Sequence, residues 1–173
     1  MNMKRILLLR HAKSSWDFPE LSDHDRPLND RGRNAASRMG RYLEEREIFP
    51  DLILSSPAVR ARDTAERVMA ALSQSPDFKT DARLYLRGVG GILEAIRNSE
   101  ARYGEILIVG HNPAMQEFAI GLGGGQNSSE MASLRVKYPT CALAEFEASV
   151  NHWPDLEMGG ARLVAFTPVK ALD

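Results

Sequence analysis

The chain has 173 residues, 43% of them hydrophobic and 26% charged, with a formal net charge of −1. That length supplies one domain with a substantial core and is short for two. The near-neutral balance gives no global attraction to nucleic acid or to an anionic membrane. A single cysteine, Cys141, excludes an internal disulfide framework and fits a reducing cytoplasm.

Taken in chain order, Met1-Asn2-Met3-Lys4-Arg5 is followed by only four aliphatics, too few for a signal-peptide core. No later stretch reaches the apolar length of a membrane span. Ile6-Leu7-Leu8-Leu9 reads as a strand buried on both faces. It stops abruptly in Arg10-His11-Ala12-Lys13-Ser14-Ser15-Trp16, polar groups placed where open α/β sheets put their ligands. Residues 17–30, rich in Asp, Pro and Ser, form a loop. Asn29 then caps a helix whose apolar side is Ala35, Ala36, Met39, Tyr42 and Leu43, ending near Ile48 before Pro50.

Asp51-Leu52-Ile53-Leu54-Ser55 is a second strand. Ser56 and Pro57 read as the cap and first residue of a helix through Val59, Ala65, Val68, Met69 and Leu72. A weak third strand is expected from Lys79 to Leu84 and a helix from Ile92 to Tyr103. Glu105-Ile106-Leu107-Ile108-Val109-Gly110 is another buried strand, ending in His111. Asn112 is read as the cap and Pro113 as the start of a helix carrying Met115, Phe118, Ala119 and Leu122. The glycine-rich patch from Gly121 to Ser129 reads as a flexible loop. Strands from Ala142 to Phe146 and Arg162 to Thr167 close the chain, and Cys141, in the strand-like Thr140-Cys141-Ala142-Leu143, is read as a small buried hydrophobe. Alternating strands and helices predict an α/β domain with a mostly parallel sheet and an antiparallel closing edge.

Three strand ends carry chemistry: Arg10-His11, Ser55-Ser56 with Arg60 beyond, and His111-Asn112. Any one of them alone reads as a cap or a solvated charge. In a parallel sheet all three converge on one edge. Two guanidiniums there can fork onto phosphate oxygens, one neutral histidine can attack phosphorus, and a second, protonated beside the phosphate, can hydrogen-bond an equatorial oxygen. No metal-ligand spacing, P-loop or nucleophile elbow competes with this scheme. The triple-glycine run does not follow a strand and open a helix, so it is no nucleotide cradle. His24 and His152 read as solvated loop residues. Lys13 reads as a solvated charge that could help recruit an acidic partner.

These residues resemble the histidine phosphatase (phosphoglycerate-mutase-like) superfamily, and most of all its small SixA-type phosphohistidine phosphatases. The resemblance covers nearly the whole chain as one histidine phosphatase domain (1–173). It implies a three-layer α/β/α sandwich and a phosphohistidine intermediate, with His11 as nucleophile. Arg10, Arg60 and His111 would complete the phosphate pocket, Ser14 joins them as a substrate-binding residue, and no cofactor or metal is required. Asp25-Arg26-Pro27-Leu28 and Gly32 match a further family segment, read as structural. Ala12 stands where most of the superfamily has glycine, and Asp17 where many mutase-like relatives have a phosphate-binding asparagine.

Many relatives also carry a general-acid glutamate after the third strand. Here Leu84-Tyr85-Leu86-Arg87-Gly88-Val89-Gly90-Gly91 offers no carboxylate, which leaves Asp17, Glu20, Asp23 and Asp25 as substitutes. Imidazole leaves more easily than an alkoxide, so phosphohistidine on a signalling protein, such as a histidine phosphotransfer domain, is the expected substrate class. A small phosphate ester is the alternative, and a non-catalytic phosphoprotein-binding module is a third reading. The expected protein is cytoplasmic, a monomer or weak homodimer, and binds neither nucleic acid nor membrane. Trp153, Pro154 and Leu156 could be a contact patch or local packing.

Overall fold

The computed structural model describes residues 3–173; Met1 and Asn2, which begin the stretch judged too short for a signal peptide, lie outside it. Strand β1 (Lys4–Arg10) is the centre of a six-stranded sheet of order β3-β2-β4-β1-β5-β6. It pairs in parallel with β4 (Glu105–Gly110) and antiparallel with β5 (Leu143–Ala148). Strands β2 (Leu52–Ser55) and β3 (Asp77–Thr80) extend the parallel part, and β6 (Ala161–Thr167) completes the antiparallel edge. Ile6, Leu7, Leu8 and Leu9 have no exposed surface, as a continuous aliphatic run covered on both faces requires.

The pleat divides these leucines between two cores. Leu7 and Leu9 pack with α1 (Asp30–Glu45) and α2 (Val59–Ala70), whereas Ile6 and Leu8 pack with α4 (Gly88–Arg97), α5 (Ala114–Gly123) and α6 (Ser129–Val136). The result is the expected three-layer α/β/α sandwich. Trp153 and Leu156 are wholly buried in the second core, with Trp153 Nε1 donating to the Tyr103 carbonyl at 2.9 Å. They are local packing, not a contact patch.

Several elements differ from their sequence expectation, each for a local reason. Helix α1 stops at Glu45, because Glu47 turns at φ 54° and Ile48 N–H closes on the Leu43 carbonyl. Ser56 does not cap α2, which starts at Val59, and its hydroxyl accepts from Ala58 N–H and pairs with His111. Strand β3 ends at Thr80, because the Asp81 carboxylate accepts from Arg83 N–H and turns the chain into the short helix α3 (Arg83–Leu86). Helix α4 runs earlier than expected, from Gly88, whose φ of +62° suits a residue without a side chain.

Asn112 and Pro113 precede α5, with Asn112 Oδ1 accepting from Gln116 N–H in its first turn. The glycine patch is tied down: Gly121–Gly123 end α5, Gln126 bonds both backbone groups of Leu163, and Ser128 caps α6 through Met131 N–H. Cys141 lies just before β5, buried, with a left-handed φ of 61°.

One glycine fixes how the loop after β1 meets its helix. Asn29 caps α1 through Gly32 N–H, its own N–H donates to the Lys13 carbonyl, and a Cβ on Gly32 would lie 2.0 Å from that carbonyl oxygen. Gly32→Ala is therefore expected to cost on the order of 1–3 kcal/mol through forced backbone displacement. Urea denaturation would show this as a lower midpoint with unchanged slope.

Candidate phosphate-binding site

The three polar strand ends do meet at the carboxyl edge of the parallel strands. Register pairs Arg10 with Gly110, and Ser55 with Val109, so the residues that follow β1, β2 and β4 emerge side by side. His11 N–H donates to the Gly110 carbonyl and Ser56 N–H to the Val109 carbonyl, each at 2.9 Å. The His11 and His111 ring centroids are 5.1 Å apart.

His11 is buried, and its Nδ1 lies 2.7 Å from the Ala12 carbonyl oxygen. A carbonyl can only accept, so Nδ1 carries the proton and Nε2 keeps its lone pair. Burial pushes the His11 pKa down to about 3; the Ala12 bond opposes this, while His111, Arg60 and Arg10 reinforce it. The ring is therefore neutral at pH 7, the state a nitrogen nucleophile needs.

His111 lies in the wall of an open cavity of about 440 Å³, together with Asp23, Arg60, Tyr85 and Leu86. Its Nε2 pairs with Ser56 Oγ at 2.7 Å, and its buried Nδ1 has no partner among the described residues. Burial first, then Arg60, lowers its pKa to about 4. The ring by itself is therefore neutral at pH 7, and its expected protonated state beside phosphate depends on the charge that an arriving dianion supplies.

Arg10 leaves β1 beneath the loop before β5. Its guanidinium donates to the Tyr138 carbonyl at 2.9 Å, and its buried Nε has no partner. Arg60 sits in the first turn of α2, where its side chain leans toward the helix N-terminus. Thr64 locks this turn to the segment after β1: its hydroxyl donates to the Arg60 carbonyl at 2.7 Å and accepts from Ala12 N–H at 3.0 Å.

Asp23 is the one acid candidate brought into the pocket. Its carboxylate accepts from Tyr85 Oη at 2.7 Å, from Arg60 at 3.0 Å and from Arg26 at 3.0 Å, and its carbonyl accepts from Arg60 at 2.6 Å. The Tyr85 bond, with help from Arg60 and Arg26, holds its pKa down at about 2. Asp17 and Glu20 are exposed and make no side-chain bond to the pocket, and Asp25 pairs with His24 at 3.3 Å. The Ser14 hydroxyl accepts from Arg26, which also donates to Asp23.

Two residues escaped the sequence reading. Tyr85 stands with its ring centroid 5.5 Å from that of His111, and His24, expected to be solvated, packs edge-on against Tyr85 at 5.0 Å. The only sequence signal for Tyr85 is its place after the third strand, where relatives carry their acid. His24 has none, because its position depends on the path of the loop. Among the described residues, no three His, Cys, Asp or Glu side chains are placed to hold a metal ion.

The buried histidines set an acid limit on stability. Unfolded histidine takes up a proton near pH ~6.5, whereas the folded rings refuse it until about 3 and 4. The unfolded chain thus binds more protons in that window, and stability falls as pH drops from about 7 toward 4. Asp23 acts lower, its contribution disappearing only as pH falls through about 2. Melting curves across this range should be flatter for His11→Ala/His111→Ala than for the wild type.

Two neutral histidines, one buried and one half-buried, gathered with two arginines at the carboxyl edge of a parallel sheet, are the groups of a phosphate-handling α/β enzyme. Residues 6–92 match the histidine phosphatase superfamily (branch 1). An uncharacterized protein of Mycobacterium tuberculosis is 34% identical, the match covering 91% of this chain and 98% of that one. An uncharacterized chloroplastic protein of Arabidopsis thaliana is 33% identical over 88% of this chain and 70% of its own. Among solved structures, the Agrobacterium tumefaciens protein provisionally called phosphohistidine phosphatase SixA superposes with a TM-score of 0.80 at 30% identity, covering 95% of this chain and 97% of that one. The chain belongs to the histidine phosphatase superfamily and is of its SixA type. It is a phosphatase by class. No helix among the described residues is long and apolar enough to cross a membrane.

Proposed function

We propose that the protein hydrolyses phosphohistidine on a partner protein through a phospho-His11 intermediate, without a metal ion. The observation that carries the nucleophile assignment is the Nδ1 contact of His11 with the Ala12 carbonyl, which leaves Nε2 free among Arg10, Arg60 and His111. In the first step Nε2 attacks phosphorus, the substrate's P–N bond breaks, and its electron pair leaves with the substrate ring, which departs as neutral imidazole because its other nitrogen already carries a proton. In the second step water attacks phospho-His11, releasing inorganic phosphate and restoring the neutral ring. Arg10 and Arg60 would hold the phosphoryl oxygens. His111, protonated once the dianion is bound, would donate from Nδ1.

The state of Asp23 favours the phosphohistidine reading over alkyl esters. A carboxylate with a pKa of about 2, held by Tyr85, Arg60 and Arg26, is ionised at neutral pH and has no proton to give. An alkoxide leaving group without an acid forfeits about 10²–10⁴ in rate, whereas imidazole departs unaided. The surroundings support a large substrate: Leu86, in the cavity wall, is 80% exposed, and Trp16, stacked on the Arg26 that holds Asp23, is 78% exposed, apolar surface of the kind that contacts other proteins. Ser14 is left an indirect part, positioning Arg26.

The test compares phosphoramidate and a phosphohistidine peptide with an alkyl phosphate, in the wild type and in Asp23→Asn. Faster turnover of the P–N substrates is expected, with Asp23→Asn changing it by less than about threefold. Preferential hydrolysis of the alkyl ester, lost in Asp23→Asn by about 10² or more, would instead make Asp23 the general acid of a small-ester phosphatase.

A further inference from the structure

On the α1 side of the sheet, a second open groove of about 480 Å³ runs between α1 and the 3₁₀ turn Val169–Leu172. It shares no lining residue with the His111 cavity. Lys13, Arg31, Arg38, Arg41 and Lys170 line it, and Asp173 is its one acidic side chain.

These cations contrast with several surface arginines that sit on carboxylates, Arg33, Arg67, Arg83, Arg102 and Arg162. Among the described residues, the exposed side chains of Lys13, Arg31, Arg41 and Lys170 make no hydrogen bond or ion pair. In a chain of net charge −1, four unmatched cations in one groove form a local field without an internal counterpart. Arg38 shows what suits the groove, since the Asp173 carboxylate lies 3.6 Å from it.

We infer that this groove is a docking surface for a carboxylate-rich segment of the phosphorylated protein substrate, an inference that rests on the proposed function. Arg31, Arg38 and Arg41 lie along one side of α1 over roughly 15 Å of helix. They are strung out rather than converging on one point, so they match a row of carboxylates better than a single phosphate. The groove lining contains no aromatic side chain on which a base could stack, as single-stranded nucleic-acid sites require. The groove also begins at the right place. Lys13 follows His11 by two residues, and its carbonyl is bonded to Asn29 at the head of α1. A partner whose phosphorylated side chain entered the pocket could therefore lay an acidic flank along α1, gaining encounter rate and orientation from the field.

Fluorescence anisotropy of a labelled polyglutamate peptide tests the groove directly. The wild type should bind it, more weakly as salt rises from about 50 to about 300 mM. The double variant Arg31→Glu/Arg41→Glu should bind about tenfold or more weakly, and Arg162→Glu, on the far edge strand, should match the wild type. On an acidic phosphohistidine peptide the double variant should raise KM about fivefold or more with kcat retained, and its phosphoramidate turnover should be unchanged. Failure of the wild type to bind polyglutamate, equal binding by the double variant, or tighter binding of oligothymidylate than of polyglutamate would overturn the inference. Absence of wild-type turnover on both P–N substrates would instead refute the phosphatase reading, and the anisotropy arm would still decide the groove.

Discussion

Replacing His11 by alanine is expected to lower turnover of phosphoramidate or phosphohistidine by about 10⁴-fold or more and to abolish covalent labelling by a ³²P-phosphodonor. The size of the effect follows from the role: without Nε2 there is no first displacement, and only binding and electrostatic stabilisation remain. The variant should fold, because truncating the ring also removes a buried group that resists protonation in acid. Its circular dichroism should match the wild type, and its melting temperature at pH 5 should be no lower. Acid-labile label persisting on the His11→Ala protein would show that another residue carries the phosphoryl group.

Arg60→Ala is expected to lower kcat by about 10²–10³-fold, the usual consequence of removing a preorganised donor aimed at developing charge. Arg60→Lys should recover little, because an ammonium cannot reproduce the guanidinium fork. The Arg60–Asp23 contact adds a second, separable consequence. Both terminal nitrogens of Arg60 are engaged by Asp23, one on its carbonyl and one on its carboxylate. Incoming phosphate must therefore compete with Asp23 for the same donors. Two variants distinguish the consequences: Arg60→Ala slows the chemical step in single-turnover kinetics, whereas Asp23→Ala, which frees an Arg60 donor, tightens phosphate binding.

The strand ends were readable because burial leaves a strong signature. Four aliphatics in a row at Ile6–Leu9, and again at Ile106–Val109, have room only in a covered strand, so the polar residue that interrupts each run must lie at its end. Arg10, His11 and His111 were located this way, and Arg60 by its distance from the end of β2. Element limits were less readable, because side chains act across them: Ser56, expected to cap, pairs with His111, and Asp81 pulls Arg83 into a turn. Helix α6 and the ordered glycine patch escaped for a similar reason, since Gln126 is tied to Leu163, residues far apart in sequence.

The sequence by itself determined the α/β alternation, the direction of the central strands and the four residues gathered at their carboxyl edge, since periodicity and buried runs are local properties, while the three-layer sandwich followed from the family resemblance. Only the tertiary structure decided the protonation and the company of those residues. Desolvation favours the neutral form of both histidines, and the path of the loop carries Asp23 onto Arg60 and Tyr85 while leaving Asp17, Glu20 and Asp25 outside. Burial and loop path depend on how distant segments pack, and those are the quantities that set a pKa or bring a tyrosine beside a histidine.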